Sequence, residues 1–184
     1  MTCIVGIVKK EKVYIGGDSA GVDGYSISYR KDPKVFKRGE FIFGFTSSFR
    51  MGQLLMFGKE LNIRKQKSNE DTYEYMVKVF TKGVRKLFKR GGYMKEKDGG
   101  EEGGIFLVGY NGRLFSIFED FQVGENIDGF DSVGCGGKLA LGSLFTTSKL
   151  NLKPKERVKM ALNAAEKFSG GVSSPFNIVQ NGKI

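Results

Sequence analysis

The sequence predicts an α+β fold, a four-layer αββα sandwich in which two antiparallel sheets pack face to face between pairs of helices. Three observations support it. Two short apolar runs at residues 4–8 and 13–17 are joined by a charged turn, which is typical of an antiparallel hairpin. Strands, two helices, strands, two helices and a last strand then follow one another. The 184 residues, 40% of them hydrophobic, suffice for one domain spanning residues 1–184.

The helices are predicted from apolar residues that recur with a period of about 3.6. The pattern Thr46-Ser47-Ser48 is a helix start, and apolar residues follow it over residues 51–61. A second helix begins at Ser68 with the capping pattern Ser-x-x-Asp, and its apolar stripe covers residues 73–88. Two more helices are expected, one just after residues 134–137 and one following Pro154.

The remaining strands are predicted from apolar runs and turn residues. The pair Asn111-Gly112 between two such runs is the strongest hairpin signal in the chain. Residues 41–45 form a central apolar strand, and residues 176–179 form the last one. Residues 91–103 are rich in glycine and charge and are expected to form a loop.

The residue types present restrict the chemistry of this chain. It contains no histidine, so Ser-His and Cys-His catalytic pairs are excluded, and any catalytic base must be an amine or a carboxylate. No cofactor and no metal site is expected. Two cysteines, Cys3 and Cys135, in a chain without a secretion signal favour a reducing cytoplasm over a disulfide framework. No apolar run approaches the ~18 residues of a membrane span, so no membrane association is expected.

The formal net charge of +10 is the main argument for a nucleic-acid partner. The basic residues are spread along the chain and are densest over residues 82–90, where apolar residues interleave at helical spacing. That pattern favours the solvated face of an amphipathic helix over a binding surface. Nucleic acid is therefore not the expected partner and is kept as an alternative.

A threonine, Thr2, stands at the start of the first apolar run, where removal of Met1 would expose its α-amine. An α-amine has a pKa near ~8 and can accept the proton of the hydroxyl that it activates. Thr2 could therefore supply both the nucleophile and the base. Because a threonine after a start codon has no such meaning alone, this interpretation depends on the rest of the chain.

This order of elements, with Thr2 in front, resembles the proteasome β-subunit family and most closely its bacterial HslV type. The similarity covers most of the chain and follows the same order. It is carried, besides Thr2, by the Gly-Asp turn Gly17-Asp18-Ser19-Ala20, the lysine motif Lys34-Val35-Phe36, the strand-to-helix turn Gly44-Phe45-Thr46-Ser47, the glycine turn Gly134-Cys135-Gly136-Gly137, and the later site Ser169-Gly170-Gly171.

The resemblance implies the N-terminal nucleophile hydrolase fold and a role for each of these residues. Thr2 would attack an amide carbonyl. Lys34, held and charge-balanced by Asp18, would lower the pKa of the amine and favour its proton-accepting form. The backbone N–H near Ser47 would stabilise the oxyanion, an effect of about 3 kcal/mol per donor. The remaining residues expected at the site are Cys135, Glu166 and Ser169.

Three positions depart from the family pattern. Ser47 stands where the family usually has glycine, which keeps the amide but narrows the entrance. Cys135 replaces a serine and is a weaker hydrogen-bond partner. Glu166, three residues before Ser169, stands where aspartate is usual and has a longer side chain. These departures leave open a subunit that has kept the fold and lost turnover.

The leading hypothesis is a threonine-type peptidase subunit of a self-compartmentalising, proteasome-like assembly that cleaves polypeptides. The resemblance also implies a ring of identical subunits and an ATP-dependent unfoldase that feeds its chamber. Two alternatives stay open: an amidase of the same class acting on a small amide, and a non-catalytic assembly or nucleic-acid-binding protein. Retention of Met1 would favour the last, because it blocks the amine.

Two helical layers are the expected contact surfaces of such a ring, namely residues 51–61 with residues 73–88, and residues 158–168. Apolar side chains that face away from the sheets would be available to a neighbouring subunit. We expect Met56, Phe57 and Tyr75 to be among them.

Overall fold

Thirteen strands and five helices make up the computed structural model, which describes residues 1–97 and 99–183. The strands are β1 (Cys3–Lys9), β2 (Lys12–Gly17), β3 (Ala20–Asp23), β4 (Ser26–Tyr29), β5 (Val35–Arg38), β6 (Phe41–Phe45), β7 (Lys95–Lys97), β8 (Gly100–Glu102), β9 (Phe106–Tyr110), β10 (Arg113–Ile117), β11 (Val123–Gly124), β12 (Phe130–Gly134) and β13 (Asn177–Gly182). The helices are α1 (Phe49–Phe57), α2 (Thr72–Tyr75), α3 (Thr81–Arg90), α4 (Gly137–Ser148) and α5 (Pro154–Phe168). A 3₁₀ turn covers Lys59–Leu61, and a π-helical segment, Met76–Phe80, joins α2 to α3.

Two antiparallel sheets form the centre of the fold. The first has the strand order β12-β1-β2-β13 and the second the order β11-β10-β9-β6-β5. Two short hairpins, β3–β4 and β7–β8, lie outside them. The predicted α+β sandwich of two antiparallel sheets is thus confirmed. In the described part of the chain no helix has the length and hydrophobicity needed to cross a membrane.

The two sheets pack through small aliphatic side chains. Ile4, Val13 and Ile15 of the first sheet form one buried cluster with Ile42, Leu107 and Leu114 of the second. Gly44 on β6 lies in this interface: a Cβ built there would be 2.4 Å from Ile4 Cγ2. Because real Cβ atoms do not approach other heavy atoms so closely, the sheets have this spacing only with glycine at position 44.

Each sheet also packs on helices at its outer face. The second sheet and helices α1–α3 enclose an aromatic core that includes Phe43, Phe80, Phe88, Phe106 and Phe115. The first sheet packs on α4 and α5 through Ala140, Leu144, Val158, Ala161 and Leu162. Because the helices on each outer side bury one face on a sheet, four layers result, as the sequence predicts.

In the first half of residues 73–88, the buried face of the helix differs by one position from the apolar stripe that the sequence predicts. Tyr75, predicted to face outward, is 1% exposed, whereas Tyr73 and Val77 are 41% and 43% exposed. The π-helical segment explains this correction, because its i→i+5 bonding brings Tyr75 and Phe80, five residues apart, to the same face. The Tyr75 hydroxyl donates to Arg64 O at 2.8 Å.

Other expectations hold or change in detail. Phe57 is 74% exposed, as predicted, while Met56 packs partly against the aromatic core. The segment 91–103, expected to be a loop, contains the hairpin β7–β8; Asp98 within it lies outside the described residues. The last strand begins at Asn177 and extends to Gly182, three residues further than predicted.

Substitution of Gly44 should disturb the spacing of the two sheets. We expect Gly44→Ala to lower the free energy of unfolding by about 1–3 kcal/mol, because an added methyl group overpacks the interface. Gly142→Ala in α4 is the matched control: its Cβ meets nothing within 4 Å, so it should stabilise by up to ~1 kcal/mol. Urea denaturation of both variants measures the difference, and a Gly44→Ala protein as stable as the wild type would contradict the packing argument.

Candidate active site

Thr2 lies directly before β1, at the point where the first sheet meets a cleft. Its backbone is held by the glycine turn after β12, where Gly136 N–H donates to Thr2 O at 3.4 Å. Gly134 in this turn has φ +98°, and a Cβ there would lie 2.3 Å from Thr2 O. The turn therefore needs glycine in order to approach Thr2 so closely.

The Thr2 hydroxyl is in contact with the Lys34 ammonium. Lys34 Nζ donates to Thr2 Oγ1 at 2.9 Å. Nζ also donates to Asp18 Oδ2 at 2.9 Å and to Ala20 O at 2.5 Å. The sequence places these residues up to 32 positions apart, and the fold brings them together because β1, β2 and β5 converge there.

Asp18 and Lys34 form a buried ion pair, with side-chain exposures of 0% and 2%. The Asp18 carboxylate is satisfied beyond the pair, since it accepts Cys3 N–H at 3.0 Å and Ala20 N–H at 3.1 Å. A buried ion pair is stable only when the remaining donors and acceptors of both side chains also have hydrogen-bond partners, and those of Asp18 and Lys34 have them.

Burial lowers the pKa of the Lys34 ammonium below its ordinary value, and the negative charge of Asp18 opposes this effect. The oxygens of Asp18, Ala20 and Thr2 surround Nζ with acceptors, an arrangement that suits the charged ammonium with its three N–H donors. Lys34, whose side chain is 2% exposed, thus presents a positive charge to the Thr2 hydroxyl.

Cys135 lies against the backbone of Thr2. Its Sγ accepts the Thr2 N–H at 3.2 Å and donates to Thr2 O at 3.3 Å. Ser169 Oγ is 3.7 Å from the same sulfur, so Ser169 reaches Thr2 through Cys135. The structure therefore brings together Thr2, Cys135 and Ser169, three of the residues singled out in the sequence.

Ser47 adopts a left-handed backbone conformation, with φ +56°, at the turn between β6 and α1. Its hydroxyl accepts Ile105 N–H at 3.1 Å, and Ser48 caps α1 by accepting Arg50 N–H at 3.1 Å. Within the described ranges no acceptor is bound to the Ser47 N–H. Ser47 and Thr2 line the same cleft, so this amide is available to a group bound there.

Glu166 forms its hydrogen bond with the loop after α5. Its Oε1 accepts Ser174 N–H at 2.6 Å, which fixes the loop after α5. Among the described residues no hydrogen bond joins Glu166 to Ser169. The expected part of Glu166 in the site stays a prediction.

Met1 covers the Thr2 nitrogen by an ordinary peptide bond. Its carbonyl oxygen accepts the Thr2 hydroxyl at 2.5 Å and lies 3.4 Å from Lys34 Nζ. The Met1 residue is 57% exposed at the rim of the cleft. With Met1 present the Thr2 nitrogen is an amide and cannot act as a base.

The cleft beside Thr2 has a volume of about 260 Å³ and contains residues that the sequence analysis did not single out. Arg30 stacks on the Phe49 ring at 4.0 Å and pairs with Asp32 at 2.7 Å. The alternation of Tyr25, Ile27 and Tyr29 just before Arg30 is a strand signal that could have revealed the hairpin forming this wall.

Cys3, next to Thr2 in the sequence, is a second side chain that could act as a nucleophile here. Burial raises the pKa of the Cys3 thiol to about 12, so Cys3 is not a nucleophile at neutral pH. In residues 1–97 and 99–183 no group of three or more cysteine and acidic side chains is arranged to hold a metal ion.

Breaking the ion pair should destabilise the fold. We expect Asp18→Asn to cost about 3–5 kcal/mol in unfolding free energy, because it leaves the Lys34 ammonium buried without its counter-charge. Lys34→Met should also destabilise. The double variant should be less destabilised than the sum of the two by at least about 1 kcal/mol. Urea denaturation of all four proteins gives the coupling, and additive effects would show that the pair is not energetically linked.

The fold of the chain was compared with those of known proteins. No family model matches the sequence, and no curated protein matches it. Among solved structures, BPH from Thiobacillus denitrificans is similar with a TM-score of 0.82 at 16% identity, covering 99% of this chain and 98% of that one. Eukaryotic HslV from Trypanosoma brucei has a TM-score of 0.67 at 13% identity, covering 98% and 99%. Anbu from Hyphomicrobium sp. strain MC1 has a TM-score of 0.64 at 16% identity, covering 98% and 82%.

These likenesses confirm the fold that the sequence predicts. At 13–16% identity they do not distinguish HslV from the other two structures. Each of them covers 98–99% of this chain. The chain has the proteasome-like N-terminal nucleophile hydrolase fold.

Proposed function

We propose that this chain is a threonine-type peptidase subunit of a proteasome-like assembly. The observation that carries the proposal is the 2.9 Å contact between Lys34 Nζ and Thr2 Oγ1, backed by the buried Asp18. A threonine hydroxyl needs a base and a nearby positive charge to become a nucleophile, and the contact supplies the charge.

The base is the Thr2 nitrogen itself once Met1 is removed. Threonine is small enough at the second position for aminopeptidase trimming, and Met1 is exposed. Its removal converts the Thr2 amide into an amine with a pKa near ~8 and leaves it 3.2 Å from Cys135 Sγ. The same step releases Thr2 Oγ1 and Lys34 Nζ from the Met1 carbonyl.

The reaction then proceeds in two halves. The amine accepts the hydroxyl proton while Thr2 Oγ1 attacks the substrate carbonyl, and the protonated amine passes that proton to the leaving amine. The Ser47 N–H stabilises the oxyanion, and the Lys34 charge stabilises the developing negative charge on Oγ1. Water activated by the amine next hydrolyses the ester at Thr2 and regenerates the hydroxyl.

The Thr2 centre is tested by comparing Thr2→Ala, Thr2→Ser and the wild type. Thr2→Ala should lose hydrolysis of an unstructured polypeptide by at least about 10³-fold, because the nucleophile is gone. Thr2→Ser should retain part of the activity, since hydroxyl and amine both remain. Intact mass should show that active protein lacks Met1.

Epoxomicin is a suitable probe, since a second structure of Thiobacillus denitrificans BPH holds it in complex. It should raise the Tm of the wild type and leave that of Thr2→Ala unchanged. Full hydrolysis by Thr2→Ala, or a fully active preparation that retains Met1, would contradict the proposal.

The assembly part of the proposal is a closed homo-oligomer whose centres face a chamber, supplied by an ATP-dependent unfoldase, in the cytoplasm. One similar structure is a helical assembly of the Anbu complex from Pseudomonas aeruginosa, which supports contacts between copies, whereas closure of the ring is part of the proposal. In this chain the outer faces of α4 and α5 expose Leu139, Phe145, Met160 and Phe168 at 37–75%. Apolar side chains at these positions suit a contact between copies.

Light scattering tests the assembly. The protein should have a mass several times the 20.4 kDa of one chain, and higher salt should favour the oligomer by screening the +10 charge of each subunit. Phe145→Asp should shift the protein toward smaller species. Ile127→Asp, at a 99% exposed position between β11 and β12, is the matched control and should not. A monomer at every concentration and ionic strength would contradict the chambered assembly.

A further inference from the structure

A lysine-lined groove lies at the end of the first sheet that is opposite to Thr2. Lys9, Lys10 and Lys12 of the β1–β2 turn form one side of it. Lys153, just before α5, lies on the other side. The groove has a volume of about 530 Å³, and the described residues that line it include no acidic side chain.

None of these four lysines has an ion-pair partner within residues 1–97 and 99–183. The carboxylates nearest to these lysines in the sequence, those of Glu11 and Glu156, have other partners. Glu11 pairs with Lys183 at 2.8 Å, and Glu156 accepts the Lys153 backbone N–H at 3.0 Å. Elsewhere on the surface some basic side chains do pair with carboxylates, as Arg85 does with Glu101 and Arg113 with Glu125.

The floor of the groove differs from its rim. Tyr14, Leu152 and Pro154 are half-buried and supply an aromatic ring and two apolar side chains. A ligand with negative charges on either side of an apolar group would match both the rim and the floor.

We propose that this groove binds an acidic segment of a partner polypeptide, with carboxylates on the lysines and an apolar side chain on Tyr14 and Leu152. A polypeptide fits better than nucleic acid for two reasons. The groove is short, whereas a nucleic acid needs a continuous track of phosphate contacts, and its lining cations are all lysines, without the arginine forks that hold phosphates bidentately.

The proposal goes beyond the peptidase function and does not depend on it. Thr2 and Lys9 are separated by seven residues of strand, which span roughly 23 Å at about 3.3 Å per residue. A segment in the groove therefore leaves the cleft beside Thr2 open, so binding is measurable whether or not the chain hydrolyses peptides.

The test uses the full chain and a fluorescein-labelled decaglutamate peptide carrying one central leucine, followed by fluorescence anisotropy. Lys9→Glu with Lys12→Glu is the groove variant. The two lysines face each other across β1 and β2, so the cross-strand pair stays one of like charges. Lys82→Glu with Lys86→Glu on α3 is the matched control, because both residues are exposed and neither forms an ion pair with a described residue.

Each double variant replaces two positive charges by two negative ones and lowers the net charge from +10 to +6. We expect the groove variant to lose at least about tenfold more affinity than the control, because only its charges lie beside the bound peptide. Higher salt should weaken binding by the wild type. The double variant Lys9→Gln with Lys12→Gln should also bind the peptide more weakly than the wild type, with a smaller loss of affinity than the glutamate variant. It replaces the glutamate variant in the test if that variant does not fold.

Two outcomes would overturn the proposal. Equal losses in the groove and control variants would show that the peptide responds to net charge alone. A single-stranded oligothymidylate of equal charge that bound the wild type more tightly, with a larger loss in the groove variant, would assign the groove to nucleic acid instead.

Discussion

The buried ion pair between Asp18 and Lys34 is the interaction on which the candidate site depends. Both side chains are withdrawn from water, and such burial is unfavourable unless every charge and donor is satisfied. Here the pair uses the backbone of Cys3 and Ala20 in addition to its own contact. The ion pair therefore fixes the start of β1, the end of β2 and the segment before β5 relative to one another.

That constraint explains why the Thr2 hydroxyl and the cleft have a fixed geometry. Thr2 stands one residue before Cys3, whose N–H is bound to Asp18, and its own carbonyl is held by the glycine turn at Gly136. A threonine at a free chain end would otherwise move with the terminus. The structure instead holds its Oγ1 against Lys34 and its nitrogen against Cys135.

The position of Cys135 makes this site unlike one built with serine. A thiol accepts and donates weaker hydrogen bonds than a hydroxyl. The contacts of Cys135 Sγ with Thr2 N and Thr2 O measure 3.2 and 3.3 Å. Cys135 is exposed, whereas Cys3, the other cysteine, is buried. Reagents that modify thiols can therefore reach the neighbourhood of the Thr2 nitrogen and cannot reach Cys3.

The sequence alone determined the order of the strands and helices, and its resemblance to the proteasome β-subunit family pointed to Asp18, Lys34, Cys135 and Ser169 as residues near Thr2. Apolar periodicity, glycine turns and the absence of histidine are local or compositional properties, so they can be read without knowing the fold. Only the tertiary structure decided the outward face of the helix at residues 73–88, because the π-helical segment changes its period between Tyr75 and Phe80. It also decided that Glu166 binds Ser174, that Arg30 and Phe49 line the cleft, and that Lys9 and Lys153 face one groove. These contacts join residues distant in sequence, and their partners are set by how the sheets and helices pack.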